Sequence, residues 1–261
     1  MATYKEKVGT AVVNYAGDYP GAVEGELWYD STNKDFKYLY PNVTSAGTWR
    51  TGGNLNTARY YSAGAAADNT AALVSGGVTN LTNTELWDGS SWTEVNDLNT
   101  GRDILTGSGV STSALDWGAE PAVAITESWN GTNWTEVSDL NTARYASGGA
   151  GVSNTSALAF GGNPISGVTE SWDGSSWTEV ADLNTGRDFV VGAGTITSAL
   201  AFGGEPTRNA TEVWNGSSWT AVSNLNTGRA GAFSAGASST SALCSGGATA
   251  TAVVANTELW N

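Results

Sequence analysis

The hydrophobic residues of this chain occur in short runs that recur along most of its length. In the first full repeat these runs cover residues 60–65, 71–75, 84–87 and 92–95. Clusters of Gly, Asn, Asp and Ser separate them, and the last two runs are joined by Asp-Gly-Ser-Ser at 88–91. Short apolar runs bounded by turn-forming residues are typical of β-strands joined by tight connections. The pattern therefore predicts four short antiparallel strands in each repeat.

The repeat has a regular period of 42 or 43 residues. The string Leu-Asn-Thr-(Ala/Gly)-Arg occurs five times, and its arginines are Arg59, Arg102, Arg144, Arg187 and Arg229. A tryptophan lies ten residues before each arginine, at Trp49, Trp92, Trp134, Trp177 and Trp219. Four short antiparallel strands at this period are the signature of a propeller blade. We expect an all-β fold, a five-bladed β-propeller of four-stranded antiparallel blades.

The two ends of the chain suggest how the ring closes. The fifth repeat stops at Asn261, before its fourth strand. Trp49 has the sequence surroundings of a fourth strand, but no complete repeat precedes it. We expect the last blade to be closed by this N-terminal strand, which removes exposed sheet edges. Donation of the strand to a neighbouring chain is an alternative. A sixth, degenerate blade built around Trp28 is another.

These boundaries predict an N-terminal arm and hairpin at residues 1–46 and a propeller at residues 47–261. We place the hairpin strands at residues 26–30 and 36–40.

Charge and composition exclude several kinds of site. The formal net charge is −14, which disfavours binding to the phosphates of nucleic acid. The chain has no histidine and one cysteine, Cys244, so imidazole or thiolate metal sites are excluded and no cofactor is expected. No apolar stretch is long enough to cross a membrane.

The repeated arginines are the most conspicuous charged set, and a ring of them suggests an anion site. Each repeat also carries a glutamate in a Glu-x-Trp string, at Glu85, Glu127, Glu170, Glu212 and Glu258. Because both residues recur with every blade, we expect the arginines and the repeated tryptophans to have structural roles. No residue is predicted to be catalytic.

The loops that follow a Gly pair, or its Gly-Ala counterpart, differ between repeats and are predicted to share a face with the arginine turns. A constant scaffold that carries diverse loops suits recognition, although drift of unconstrained loops produces the same pattern. The residues chosen as partner-binding candidates are Asn80, Leu81, Pro121, Val123, Pro164, Ile165, Pro206 and Arg208.

The order Arg144, Gly161-Gly162, Trp172, Trp177, Leu183 and Arg187 resembles the kelch repeat, and the resemblance covers residues 47–261. The segment at residues 24–40, with Gly-Thr-Trp at 47–49, resembles a segment of bacteriophage tail fibres. Taken together, the pattern is similar to kelch-like virion proteins of marine bacteriophages. The resemblance implies a non-enzymatic structural protein of the virion, a tail fibre or decoration. Its expected partners are other virion proteins or a receptor or glycan on the host surface, and a homo-oligomer is left open.

Two other functions remain as alternatives. One is a cellular kelch-type interaction scaffold, located in the cytoplasm. The other is a polysaccharide-binding lectin or hydrolase. The chain resembles the kelch domain of galactose oxidase only in its repeats, and residues 171–177 differ from the Asp-box of sialidases by one missing residue.

Overall fold

The computed structural model describes residues 13–16, 27–38 and 51–261, and these form strands and loops without a helix. The chain divides into two compact units, Met1–Thr51 and Gly52–Asn261. The first unit contains β1 (Val13–Tyr15), β2 (Leu27–Asp30) and β3 (Asp35–Tyr38). The predicted hairpin is present between β2 and β3, whereas β1 pairs with β2 in parallel. Parallel pairing distinguishes this sheet from a propeller blade, whose strands all alternate in direction.

The second unit contains five blades, numbered here in chain order. Blade 1 consists of β4 (Ala63–Asp68), β5 (Ala71–Ser75), β6 (Thr84–Trp87) and β7 (Trp92–Glu94). Blade 2 consists of β8 (Thr106–Val110), β9 (Ser113–Trp117), β10 (Thr126–Trp129) and β11 (Trp134–Glu136). Blade 3 consists of β12 (Gly148–Ser153), β13 (Ser156–Phe160), β14 (Thr169–Trp172) and β15 (Trp177–Val180). Blade 4 consists of β16 (Val191–Thr195), β17 (Ser198–Phe202), β18 (Thr211–Trp214) and β19 (Trp219–Ala221). Blade 5 consists of β20 (Phe233–Ser238), β21 (Ser241–Ser245) and β22 (Thr257–Trp260).

Neighbouring strands within every blade are antiparallel, and their spatial order follows the chain. The prediction of a five-bladed β-propeller is confirmed. The predicted closing strand at Trp49 lies outside the described residues and stays a prediction.

The turn between the third and fourth strands is stabilised by its first side chain. In blade 1, Asp88 Oδ1 accepts hydrogen bonds from the backbone N–H groups of Ser90 and Ser91, each at 2.8 Å. Gly89 between them has φ of 92°, a conformation that favours glycine. Asn130, Asp173 and Asn215 accept the same pair of bonds in blades 2, 3 and 4. Asp or Asn followed by Gly therefore sets the register of each outer hairpin.

Aromatic side chains fill the space between successive blades. Between blades 2 and 3, Leu115 packs with Trp172 and Trp177 in one buried cluster, and Trp177 lies 5.4 Å from Trp117 between ring centroids. Comparable clusters join blades 1 and 2, blades 3 and 4, and blades 4 and 5. Burying each large aromatic stabilises the fold by roughly 3 kcal/mol. Because one face of a blade is covered only by its neighbour, most of this burial depends on stacking the blades.

A polar bond accompanies the buried tryptophan of the fourth strand in three of these interfaces. Its indole N–H donates to a threonine hydroxyl on the preceding blade. The pairs are Trp134 with Thr84 at 2.9 Å, and Trp177 with Thr126 and Trp219 with Thr169, both at 3.1 Å. Each bond satisfies an indole donor that burial would otherwise leave without a partner.

The first strands of consecutive blades approach each other closely, and glycine makes this approach feasible. A Cβ atom at Gly192 would lie 2.2 Å from the carbonyl oxygen of Gly149 and 2.6 Å from the ring of Phe160. Packing of this kind joins β4 to β8, β8 to β12, β12 to β16, and β16 to β20. Within residues 51–261, no comparable packing joins β20 to β4. Leu259 on β22 of blade 5 is 76% exposed.

We predict that Gly192→Ala lowers the melting temperature strongly, because the added methyl group overlaps backbone and ring atoms of blade 3. The expected loss is about 2–3 kcal/mol. Gly64→Ala is the matched control, since Gly64 is the corresponding residue of β4 and, among the described residues, its Cβ would meet only Leu73 O at 3.7 Å. Thermal unfolding followed by circular dichroism measures both variants. Equal losses would contradict the interpretation that β4 lacks such a neighbour.

Candidate functional site

One face of the propeller carries both the variable loops and the arginine turns. We call it the loop face, made of residues 76–83, 118–125, 161–168, 203–210 and 246–256 together with the five Leu-Asn-Thr-(Ala/Gly)-Arg turns and the two residues that follow each turn. Gly77 N–H donates to Arg102 O at 2.9 Å, and Arg102 N–H donates to Leu81 O at 3.2 Å. The loop of one blade is thus held against the arginine turn that leads into the next.

The repeated glutamate is the centre of a hydrogen-bond network in each blade. In blade 1, Glu85 Oε2 accepts bonds from the backbone N–H of Asn56 at 2.7 Å and from its side-chain amide at 2.9 Å. Glu85 Oε1 accepts from the backbone N–H of Thr57 at 3.1 Å and from Arg59 Nη2 at 2.6 Å. Burial alone would raise the pKa of Glu85, but the backbone bonds from Asn56 and Thr57, together with the side-chain bonds from Asn56 and Arg59, lower it below its ordinary value.

The repeated arginine extends this network to two other segments of the same blade. Arg59 Nη1 donates to Gly76 O at 3.1 Å and to Asn83 O at 2.6 Å. The arginine thereby joins the turn before the first strand to both ends of the loop that connects the second and third strands. The same pattern recurs at Arg102, Arg144, Arg187 and Arg229.

All five arginines pair with the glutamate of their own blade. The pairs are Arg59–Glu85, Arg102–Glu127, Arg144–Glu170, Arg187–Glu212 and Arg229–Glu258. Every arginine side chain in these pairs is at most 2% exposed. A guanidinium enclosed in this way cannot reach an anion in solution, so these arginines do not form an anion site. Removing one partner would leave a buried charge without compensation, which typically costs 3–5 kcal/mol.

The predicted partner-binding residues all lie on the loop face, but their exposure differs. Exposed members are Asn80, Pro121, Pro164, Ile165 and Pro206, whereas Leu81, Val123 and Arg208 are half-buried. Each of the three prolines follows a cis peptide bond.

Arg208 connects two neighbouring loops. Its Nη1 donates to Ala248 O of the last loop at 2.8 Å, and its Nη2 pairs with Glu205. Val123 forms an isolated antiparallel bridge with Arg144. These two candidates hold the loops in place, which leaves the exposed residues as the ones available to a ligand.

A row of backbone hydrogen bonds crosses the blades close to the arginine turns. We call it the inner row; its members lie two positions after each arginine, at Tyr61, Ile104, Ala146, Phe189 and Gly231. From Ile104 onward, each N–H donates to the carbonyl of the member in the preceding blade, at distances from 2.7 to 3.3 Å. All five members have φ between 46° and 59°. Four of them are not glycine, and non-glycine residues in this region cost of order 1 kcal/mol each and concentrate at functional positions.

Sequence comparison of the repeats does not reveal the inner row, because its five members share no side-chain type. Two exposed tyrosines mark its beginning: Tyr60 is 60% exposed, Tyr61 is 53% exposed, and their rings lie 5.0 Å apart in an edge-to-face arrangement. The loop face therefore presents aromatic and proline surface beside polar backbone.

A buried carboxyl group breaks the fivefold repeat in blade 2. Asp116 on β9 is 2% exposed and accepts a hydrogen bond from the Ser75 hydroxyl of blade 1. Burial raises the pKa of Asp116 to about 7, against the opposing effects of Ser75 and Arg102 and with a contribution from Glu127. The corresponding residues of the other blades are Val74, Ala159, Ala201 and Cys244. Blade 2 has Asp-Trp at 116–117 where blades 3 and 4 have Ala-Phe. This difference identifies the position in the sequence, but it does not show that the carboxyl group is buried.

No group of three or more His, Cys, Asp or Glu residues within the described ranges is arranged to hold a metal ion. Over the same part of the chain, no helix is long and apolar enough to span a membrane. No protein-family profile matches the chain, and no curated protein matches it.

We predict that Asp116→Ala removes a pH dependence of stability. The pKa of Asp116 is raised in the folded state, so its ionisation destabilises the native protein as pH rises from about 4 through about 7. The difference in free energy of unfolding, variant minus wild type, should therefore be larger above pH 7 than at pH 4. The expected increase is on the order of a few kcal/mol in favour of the variant. Denaturant unfolding across this pH range measures the difference.

Alanine suits this position because Ala159 and Ala201 occupy it in blades 3 and 4. Asp116→Asn is the second variant, since it keeps the polar group but cannot ionise. If both variants retain the wild-type pH profile, the assignment of the raised pKa to Asp116 is wrong.

Proposed function

We propose that this chain is a non-enzymatic structural protein of a bacteriophage particle, a tail fibre or decoration, whose loop face binds a host-surface receptor or glycan. The observation that carries the proposal is the combination, on one face, of five equivalent supporting networks and five loops that differ in sequence. A repeated network holds each loop at an equivalent place, while the loop residues are free to vary.

The supporting networks make the loop face a rigid platform. Each loop is bonded at both ends by the arginine of its own blade. The loops of blades 1 to 4 are bonded also to the next arginine turn, as in Gly204 N–H to Arg229 O at 2.9 Å. Isolated bridges such as Tyr145 with Asn163 and Asp188 with Glu205 add further support. Rigid placement of a binding surface reduces the entropy lost on association.

The exposed side chains of this face favour contact with a ligand. Ile165 is 57% exposed. Pro164 precedes it and is exposed, as are Pro121 and Pro206 at the equivalent positions of the loops of blades 2 and 4. The Tyr60–Tyr61 pair supplies aromatic surface with hydroxyl groups, which suits both sugars and polypeptides. The five repeated arginines and glutamates are buried in ion pairs with one another. This supports a binding role over a catalytic one.

The attribution to a virion comes from the resemblance of the repeats and of residues 24–40 to kelch-like virion proteins and tail fibres of bacteriophages. A segment outside the repeats, beside a uniform set of blades, suits a module that attaches to a particle through one part and binds through another. Under this proposal the N-terminal segment serves attachment.

We predict that Ile165→Asp reduces binding of the labelled full-length protein to a glycan array and to whole marine bacteria, because it places a charge within the exposed apolar part of the loop face. The expected decrease is about tenfold, which corresponds to one central contact of an interface. Val152→Asp is the matched control. Val152 is on the same blade, is 54% exposed, and lies at the end of β12 that is farther from the arginine turn. An equal decrease in both variants would contradict binding through the loop face, and release of reducing sugars would contradict the non-enzymatic assignment.

We predict that deletion of residues 1–24 leaves the propeller folded and abolishes incorporation into phage particles. Purified particles are analysed for the protein by quantitative mass spectrometry, with the thermal unfolding of the isolated variant as the control for folding. Undiminished incorporation would show that this segment does not attach the protein. Absence of the full-length protein from particles would favour the cellular scaffold.

A further inference from the structure

A serine takes the place of an aromatic ring in the interface between blades 1 and 2. The second strand ends in Trp117, Phe160 and Phe202 in blades 2, 3 and 4. Trp117 and Phe160 pack against the fourth-strand tryptophan of the following blade, with ring centroids 5.4 and 4.9 Å apart. In blade 1 the same register position is Ser75, which is 1% exposed. This interface therefore buries less aromatic surface than those that follow it.

Asp116 of blade 2 lies against Ser75 across the same interface. Its Oδ2 accepts the Ser75 hydroxyl. A Cβ atom at Gly107 would overlap Asp116 Oδ1 and lie 2.9 Å from the Cβ of Ala63, so the carboxyl group is enclosed between β4 and β8. Both polar positions are apolar in blades 3 and 4. A polar pair thus replaces apolar packing at this interface.

Few charged groups act on the Asp116 carboxyl. Arg102, in the turn before β8, favours its ionised form, and Glu127 on β10 opposes it. Those two residues are already paired with each other at 3.0 Å. Strands β5, β8 and β12 contain no ionisable residue, and on β4 the pKa of Asp68 is lowered by its hydrogen bonds with Thr70. A negative charge on Asp116 is therefore poorly compensated in this buried place.

We propose that the interface between blades 1 and 2 is a pH-sensitive switch. It is closed while the Asp116 carboxyl is protonated, and loss of that proton to the solvent opens it reversibly, ahead of the interfaces between blades 2, 3 and 4. Opening admits water to the carboxylate, for which the single Ser75 hydroxyl is a poor substitute. Because blades of a repeated array contact only their neighbours, one interface can open by itself.

Opening breaks hydrogen bonds that cross from blade 1 to blade 2. Ile104 N–H donates to Tyr61 O at 3.0 Å in the inner row, and Gly77 N–H donates to Arg102 O at 2.9 Å. The exposed Tyr60–Tyr61 pair belongs to blade 1, so opening also moves this aromatic surface relative to the loop of blade 2. The opening itself does not depend on the proposed function.

The test is hydrogen–deuterium exchange of the full-length protein, followed by NMR between about pH 5 and pH 8 and corrected for intrinsic exchange rates. The Ile104 amide reports on this interface. The pKa of Asp116 is about 7 in the closed interface and ordinary once water reaches the carboxyl group. The open population at Ile104 should therefore rise about tenfold for each pH unit from 5 to 7 and level off above 7.

The Phe189 amide is the matched control, because it donates to Ala146 O at 2.7 Å in the equivalent interface between blades 3 and 4. Low concentrations of guanidinium distinguish local opening from global unfolding, since the denaturant dependence of exchange scales with the surface exposed. Above pH 7, Ile104 should exchange at least about tenfold faster than Phe189 and depend less on guanidinium.

Three variants test the chemistry of the switch. Asp116→Asn cannot ionise and should abolish the pH dependence of Ile104 exchange. Ser75→Ala should move the levelling off to higher pH, because the hydroxyl bond favours the ionised carboxyl group. Ser245→Ala, at the corresponding position of blade 5, should leave the profile unchanged.

Thermal unfolding establishes that all three variants are folded. The proposal is overturned if the protection of Ile104 is the same at pH 5 and pH 7, or if Asp116→Asn keeps the wild-type pH dependence. It is also overturned if Ile104 and Phe189 exchange at the same rate with the same guanidinium dependence, because the opening is then global.

Discussion

The structure depends on the burial of tryptophan pairs between neighbouring blades, and in blades 2, 3 and 4 the pair is buried against the blade before it. A four-stranded blade has two faces, and neither is covered by anything within the blade itself. Leu115 and Trp117 of blade 2 cover Trp172 and Trp177 of blade 3, and the same arrangement recurs along the array. An isolated blade would leave these rings in water, so the blades are stable only as a stack. The glycines of the first strands follow from the same constraint, because close stacking leaves no room for their side chains.

A second, local constraint shapes the loop face. The glutamate receives four hydrogen bonds from the turn that precedes the first strand in blades 1, 2, 3 and 5, and three in blade 4, and the paired arginine carries the network onward to the adjacent loop. Desolvating such a charged pair is unfavourable, and the hydrogen bonds to both partners offset that cost. The consequence for function is that the charged residues most prominent in the sequence serve the scaffold. Recognition is left to the loops and to the exposed tyrosines beside the inner row.

A residue that departs from the repeat can bring to one blade a chemical group that the other blades lack. Asp116 replaces the small apolar residue of its sister blades and brings an ionisable group into an interface, where burial shifts its pKa toward neutrality. Asp116 arises where the symmetry of the array is interrupted, and symmetry alone would not have placed it.

The sequence by itself determined the blades: their number, their four-strand plan, the outer turns and the pairing of arginine with glutamate. These features were accessible because their partners lie within one repeat, close in the chain, and recur five times in the same register. Only the tertiary structure decided which blade faces are covered, how the inner row runs, how deeply Asp116 is enclosed and which loop residues are exposed. Those properties depend on how whole blades pack against one another, and residues as different as Tyr61, Ile104 and Ala146 can adopt one backbone conformation when the neighbouring blade requires it.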